Sequence, residues 1–284
     1  MDLIRVATKR NLELKGAIFD SNSKDTVLVL ISGICSNLFQ NDLLYQTGRL
    51  LLNNNISTII GHTMDAFSCF SYSDKKAKKQ KTTGVIFDEF DKVFDDVDSY
   101  VNYAKNLGYK KIVLAGHSLG SNKIIHYLAN TKDDFVDYFI VSSPVDLVHW
   151  FNVMPDINKC IEKAREFKAK NRQNDILPYL FGGFSPISAR AALDFYNADN
   201  LKNCPVISGV GETRSLASIR IKGTFVIGEL DSLTENDPRG FLEKINSYCR
   251  YKNDIITIEN ASHIFYNKHD QYAQVILEII KEKL

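Results

Sequence analysis

Long apolar runs are missing from this chain of 284 residues. No stretch approaches the roughly 18 residues that a membrane-spanning helix needs. The opening MDLIRVATKRNLELKG places a charge every few residues and holds no apolar core of a secretory signal. A soluble, cytoplasmic protein without a membrane span is therefore expected. Glycine and proline are sparse, at 15 and 6, which excludes collagen-like and low-complexity chains. Charge of one sign is absent: 35 Lys and Arg face 34 Asp and Glu, a net +1, so the bulk positive field that drives nucleic-acid binding is missing. Cysteine is scarce too. Cys35, Cys69, Cys160, Cys204 and Cys249 are odd in number, widely spaced and without a C-x-x-C pair, and they read as reduced thiols rather than a disulfide or metal framework. No Walker motif, dinucleotide fingerprint or H-E-x-x-H occurs, so neither a cofactor nor a metal is expected.

Short β-branched runs alternate with longer amphipathic segments, the rhythm of βαβ units around a parallel sheet. Strands are predicted at Leu3–Ala7, Leu14–Phe19, Val27–Ser32, Ser57–Ile60, Lys111–Ala115, Tyr138–Ser142, Gly223–Ile227 and Asp254–Ile258, the first two as an antiparallel pair. Helices are predicted over Asn41–Asn53, Asp88–Leu107, Leu119–Asn130, Phe241–Tyr248 and Asp270–Lys283. In the second of these, the acidic residues gather at the N-terminal end, where the helix dipole favours them. The lysine run at 75, 76, 78, 79 and 81 reads as a solvated mobile loop.

From Asp146 to Arg220 the rhythm stops: no strand is legible, and aromatics fall in irregular order. The expected organisation is a core of residues 1–145 and 221–284 with a helical cap or lid insertion at 146–220. Trp150, Phe151, Phe181 and Phe184, with Met154, Tyr179, Phe195 and Tyr196, supply either the packing of that cap or the apolar wall of a substrate pocket.

After the strand KKIVLA stands Gly116-His117-Ser118-Leu119-Gly120, followed by the helical SNKIIHYLAN. This is G-x-S-x-G in strand–turn–helix context, where glycines permit a turn too sharp for side chains and the serine is thrown out above the strand. A hydroxyl needs a base and a group that orients the base. Chain order then points to Asp231, in GELDSL after the seventh strand, and His263, in NASHIF after the last. Glu229 and Asp146 are rivals for the acid. The N–H groups of Leu119 and of Ile34, which follows Ser32-Gly33 after the third strand, are the candidate oxyanion donors. Cys35 has no base placed for it, and Gly61-His62 reads as a structural element.

These motifs make the chain resemble a serine hydrolase of the α/β-hydrolase superfamily. SGICSNLFQNDL, EFDKVFDDVDSYVNYAKNLGYKKIVLAGHSLGSNKIIHYL and SSPVD are most similar to a subgroup that includes siderophore-type esterases. The resemblance implies an eight-stranded, mostly parallel sheet flanked by helices, a cap, and hydrolysis of a carboxylic ester through an acyl-enzyme. Where the superfamily usually has His-Gly at the oxyanion loop, this chain has Ser32-Gly33. The aromatic-rich insertion suggests a bulky ester or lactone as the small-molecule substrate. The same triad also serves acyl transfer and thioester or amide cleavage. A small-molecule binding protein on a hydrolase fold, with slow turnover, is the alternative of another class.

Overall fold

Alternation within the strands decides which side chains reach which face of the sheet. In β3 (Thr26–Ile31), Val27, Val29 and Ile31 join one apolar core while Leu28 and Leu30 join the other. In β7 (Lys111–His117), Ile112 and Leu114 part in the same way from Val113 and Ala115. Strands buried on both faces read as unbroken apolar runs, as a parallel sheet covered by helices requires. The computed structural model describes residues 1–74, 78–87, 90–197, 204, 206–211 and 213–284.

Before β3 lie β1 (Asp2–Ala7) and β2 (Glu13–Phe19); between β3 and β7 come β4 (Ser57–Gly61), β5 (Phe70–Asp74) and β6 (Lys79–Thr83). After β7 follow β8 (Tyr138–Ser142), β9 (Ile176–Phe181), β10 (Ser185–Ser188), β11 (Gly223–Leu230) and β12 (Asp254–Ser262). Eight of these form one sheet in the order β1-β2-β4-β3-β7-β8-β11-β12. β2 runs antiparallel to both its neighbours and the pairs from β4 to β12 are parallel.

The helices are α1 (Asp42–Leu52), α2 (Val93–Asn106), α3 (Leu119–Asn130), α4 (Leu147–Asn152), α5 (Ile157–Ala169), α6 (Ala189–Tyr196), α7 (Arg214–Ser218), α8 (Pro238–Ser247) and α9 (His269–Lys283). Leu43 and Leu44 of α1 and Tyr272 and Ile276 of α9 pack on one face of the sheet. Val97 and Tyr100 of α2, Ile124 of α3 and Phe241 of α8 pack on the other. Caps fix the starts: the Asn41 side chain accepts the Leu43 N–H, and Asp237 accepts that of Gly240 before Pro238 at the first turn of α8. No helix among the described residues is long and apolar enough to cross a membrane.

Two hairpins depart from the sequence expectation. The segment at 146–220 is not helical throughout, because β9 and β10 pair antiparallel across the turn at Gly182 and Gly183, whose φ angles are +61° and +79°. Pro178 and Pro186 interrupt both runs and mask a strand pattern that an edge hairpin tolerates. β5 and β6 form the second, and there Lys79 and Lys81 are strand residues rather than parts of a loop. Lys81 pairs with the carboxylate of Asp74 across the hairpin. Lys75 and Lys76 of the same run, and Asp88 at the expected start of α2, lie outside the described residues. α2 itself opens at Val93, and its acids do more than face the dipole: Asp95 accepts the N–H groups of Lys9 and Arg10, tying the β1–β2 turn to the helix.

Candidate active site

The turn between β7 and α3 is as tight as its glycines suggest. A Cβ on Gly116 would lie 2.4 Å from the Gly120 carbonyl oxygen, and one on Gly120 would lie 2.2 Å from that of Ile31. Ser118 between them takes φ +54° and ψ −127°, a backbone conformation that side chains rarely adopt. Its amide donates to the Ser142 carbonyl at 2.9 Å and its carbonyl accepts the Ser121 N–H at 2.9 Å, so the strained residue is held from both sides.

β12 runs on to Ser262, so His263 stands directly at the strand end, and β11 likewise extends to Leu230, just before Asp231. A register shift after Gly228 sets Leu230 opposite Ser262. The consequence is a hydrogen-bonded line: Ser118 Oγ lies 2.9 Å from His263 Nε2, and His263 Nδ1 lies 2.9 Å and 3.0 Å from the two carboxylate oxygens of Asp231. The Asp231 side chain is 1% exposed and that of His263 15%. Burial pushes the Asp231 carboxyl up, but hydrogen bonding and charge from His263 and the Leu233 N–H together hold it below the ordinary carboxylate range.

The rival acids are engaged elsewhere. Asp146 is buried, caps α4 through the His149 N–H and accepts the amides of Ile207 and Ser208 at 2.9 Å and 2.8 Å. Glu229 accepts the Asn260 N–H and faces solvent. His62 is buried, with its Nε2 accepting the Leu38 N–H at 2.9 Å, and burial lowers its pKa to about 4. The Cys35 thiol is pushed up by burial, contrary to what a thiolate nucleophile needs. The five cysteines are free. Among the described residues no cluster of three His, Cys, Asp or Glu could hold a metal ion.

The Ser32-Gly33-Ile34 loop reaches the serine: a Cβ on Gly33 would lie 3.0 Å from Ser118 Cβ and 3.4 Å from its Oγ. Leu119 is the first residue of α3, so its N–H has no preceding helical turn to accept it. Ile34, Leu119 and Leu233 all join the apolar cluster of the 146–220 segment. Within that cluster Phe151 and Phe181 are buried, with ring centroids 5.3 Å apart, and Phe195 packs on Phe181 at 5.2 Å. Trp150 is half-buried against Phe181, and Phe184 is exposed beside Gly182.

Two groups near this line escaped the sequence reading. His117 is buried and donates Nε2–H to the backbone carbonyl of His263. Lys123, also buried, forms an ion pair with Asp65 beneath the Ser32 loop. A lysine set among Ile124, Ile125 and Leu128 on a helix that follows the strand–turn signature was the available signal.

Comparison with known proteins agrees with this architecture. Among solved structures, Est1E from Butyrivibrio proteoclasticus matches with a TM-score of 0.64 at 14% identity, over 100% of this chain and 99% of that one. The α/β hydrolase GrgF from Penicillium sp. sh18 matches with 0.71 at 14%, over 99% and 98%. The Pyrococcus furiosus esterase Pf2001 matches with 0.61 at 17%, over 99% and 90%. The shared feature is the α/β-hydrolase fold. No curated protein sequence matches the chain. The model of the proteins of unknown function DUF1749 matches residues 52–201, more than half of the chain, and the chain belongs to that family.

Proposed function

We propose that the chain is a serine hydrolase that cleaves a carboxylic ester through an acyl-enzyme on Ser118. The observation that carries this reading is the 2.9 Å approach of Ser118 Oγ to His263 Nε2, with Asp231 bonded to the opposite ring nitrogen. His263 takes the serine proton as Oγ attacks the carbonyl carbon. Asp231 fixes the tautomer that leaves Nε2 free to accept it, and stabilises the cation that forms. The N–H groups of Ile34 and Leu119 hold the oxyanion. The protonated His263 then gives its proton to the departing alcohol, and a water activated by the same ring releases the acid.

In this reading residues 146–220 act as a cap. Its apolar cluster continues into Ile34, Leu119 and Leu233, so the acyl group meets an apolar wall rather than a charged one. Trp150 and Phe184 have surface to offer a substrate, while Phe151 and Phe181 stiffen the wall from behind. A bulky, apolar ester or lactone fits such a wall; Est1E, which shares the fold, has been solved with ferulic acid bound. The test is hydrolysis of a chromogenic ester panel with product analysis in the presence of competing alcohols and amines. Faster cleavage of bulky acyl esters than of acetates, with free acid as product, is expected. Transfer to the competing nucleophile as the main outcome assigns an acyltransferase instead.

A further inference from the structure

We propose that Lys123 is a positioning residue for the oxyanion donor at Ile34, acting through the Ser32 carbonyl; the inference rests on the serine-hydrolase reading of Ser118. Lys123 lies on α3, five residues beyond Ser118, and its side chain is 1% exposed, as is that of Asp65. The three N–H donors of the ammonium serve four acceptors, both Asp65 oxygens at 2.5 Å and 2.6 Å, Thr63 Oγ1 at 2.8 Å and the Ser32 carbonyl at 3.4 Å, so the long Ser32 bond shares a hydrogen with a closer one. Thr63 Oγ1 in turn donates to Asp65 at 2.6 Å. The backbone carbonyl of Asp65 accepts the N–H of Cys35 at 2.8 Å.

These bonds bracket one peptide group. The Ser32–Gly33 peptide is tethered by the ammonium at its carbonyl, and the Ile34–Cys35 peptide is tethered by Asp65 at its N–H. Between them lies the Gly33–Ile34 peptide, whose N–H is the proposed donor. The carbonyl of that peptide accepts the Ser36 N–H only at a long 3.3 Å, and Gly33 leaves its backbone permissive, so the tethers on either side set the direction of the N–H. Cys35 in the same loop takes φ +51°, in the left-handed region that residues other than glycine seldom adopt. The segment bearing Asp65 is fixed in turn by Asp96, which accepts the Met64 N–H at 3.0 Å and pairs with Arg10.

Stability alone is a poor reason for this arrangement. Apolar residues of similar volume often replace a buried ion pair without loss of stability. They would not reach the Ser32 carbonyl with a donor. Stability of the fold therefore does not by itself account for the pair, whereas the contact to the Ser32 carbonyl needs the ammonium.

The experiment removes both charges at once, in Lys123→Met/Asp65→Leu, since the single Lys123→Met would strand a buried carboxylate. Thr63→Val, which deletes one partner of the ammonium and keeps the pair, is the second variant. Both are measured with 4-nitrophenyl butyrate alongside the natural protein. The pair variant is expected to melt cooperatively, to lose roughly 10- to 100-fold in kcat, less than outright loss of an oxyanion donor, and to keep KM within about twofold and the acid limb of its pH–rate profile in place. Thr63→Val is expected to lose several-fold in kcat in the same manner. A folded pair variant with kcat close to the natural value, a loss carried by KM, or a shifted acid limb would overturn the proposal. If the pair variant does not fold, Thr63→Val with unchanged kcat overturns it. Failure of the natural protein to react with a fluorophosphonate overturns the underlying hydrolase reading, and is seen before any variant is made.

Discussion

His117 donates its Nε2–H to the backbone carbonyl of His263 across 2.9 Å, so the residue before the proposed nucleophile holds the proposed base in place. The two rings lie 5.7 Å apart and the His117 ring packs on Phe265 at the same distance. Among the described residues its Nδ1 has no hydrogen-bond partner, which fits a neutral ring protonated on Nε2. Burial, reinforced by the neighbouring His263, lowers the His117 pKa to about 4, keeping it in that form at neutral pH.

Replacing His117 with leucine removes the donor and leaves the His263 carbonyl unpaired. The expected result is a loss of roughly 10-fold or more in kcat from displacement of the base, with about 1 kcal/mol lost in stability. Steady-state kinetics together with urea unfolding check both. Unchanged kcat would show that the His263 loop needs no tether.

Asp231→Asn keeps the shape of the carboxylate but presents an amide N–H or a neutral oxygen to His263 Nδ1. With the tautomer reversed, Nε2 carries a proton and does not accept that of Ser118. A fall in kcat of up to about 10⁴-fold is expected, with the fold intact. Asp146→Asn, by contrast, is expected to loosen the 206–210 segment that Asp146 anchors through Ile207 and Ser208 without comparable damage to kcat. A larger catalytic loss at Asp146 than at Asp231 would reverse the assignment of the acid.

The pH dependence of stability has a defined sign at His62. Its folded pKa of about 4 lies below the ordinary value of 6.5 because burial opposes the charged ring, whose Nε2 must also stay unprotonated to accept the Leu38 N–H. The unfolded state therefore binds more protons between these values. The stabilisation is present above pH 6.5 and is lost as the pH falls through 4. His62→Gln retains an acceptor and does not titrate. The stability advantage of the natural protein over this variant is expected to shrink by about 3 kcal/mol between pH 7 and pH 4. Asp96, raised to about 6 by burial, acts in the opposite direction in both proteins and cancels from the difference. A constant difference across that range in denaturant unfolding would contradict the assignment.

What was legible in the sequence follows from where its physics is local. The turn at Gly116–Gly120 is written in consecutive residues, because the glycines, the strand before them and the helix after them are one steric problem. Asp231 and His263 were legible because each follows a β-rich run at a loop. The Lys123–Asp65 pair was not, since its members are 58 positions apart and a lysine in a helix ordinarily reads as solvated. The helix dipole accounts for acids at the start of α2, but Asp95 and Asp96 are spent on Lys9, Arg10 and Met64, contacts that only the folded chain creates. The β9–β10 hairpin was hidden by Pro178 and Pro186, though Gly182-Gly183 between apolar residues carried the turn.

The central claim is that Ser118 is an activated nucleophile, and intact-mass analysis after fluorophosphonate treatment tests it most directly. The natural protein and Ser118→Ala are treated side by side. A single adduct on the natural protein, absent from the variant and suppressed in Asp231→Asn, is the predicted result. An unlabelled natural protein, or an adduct that persists in Ser118→Ala, would contradict the account.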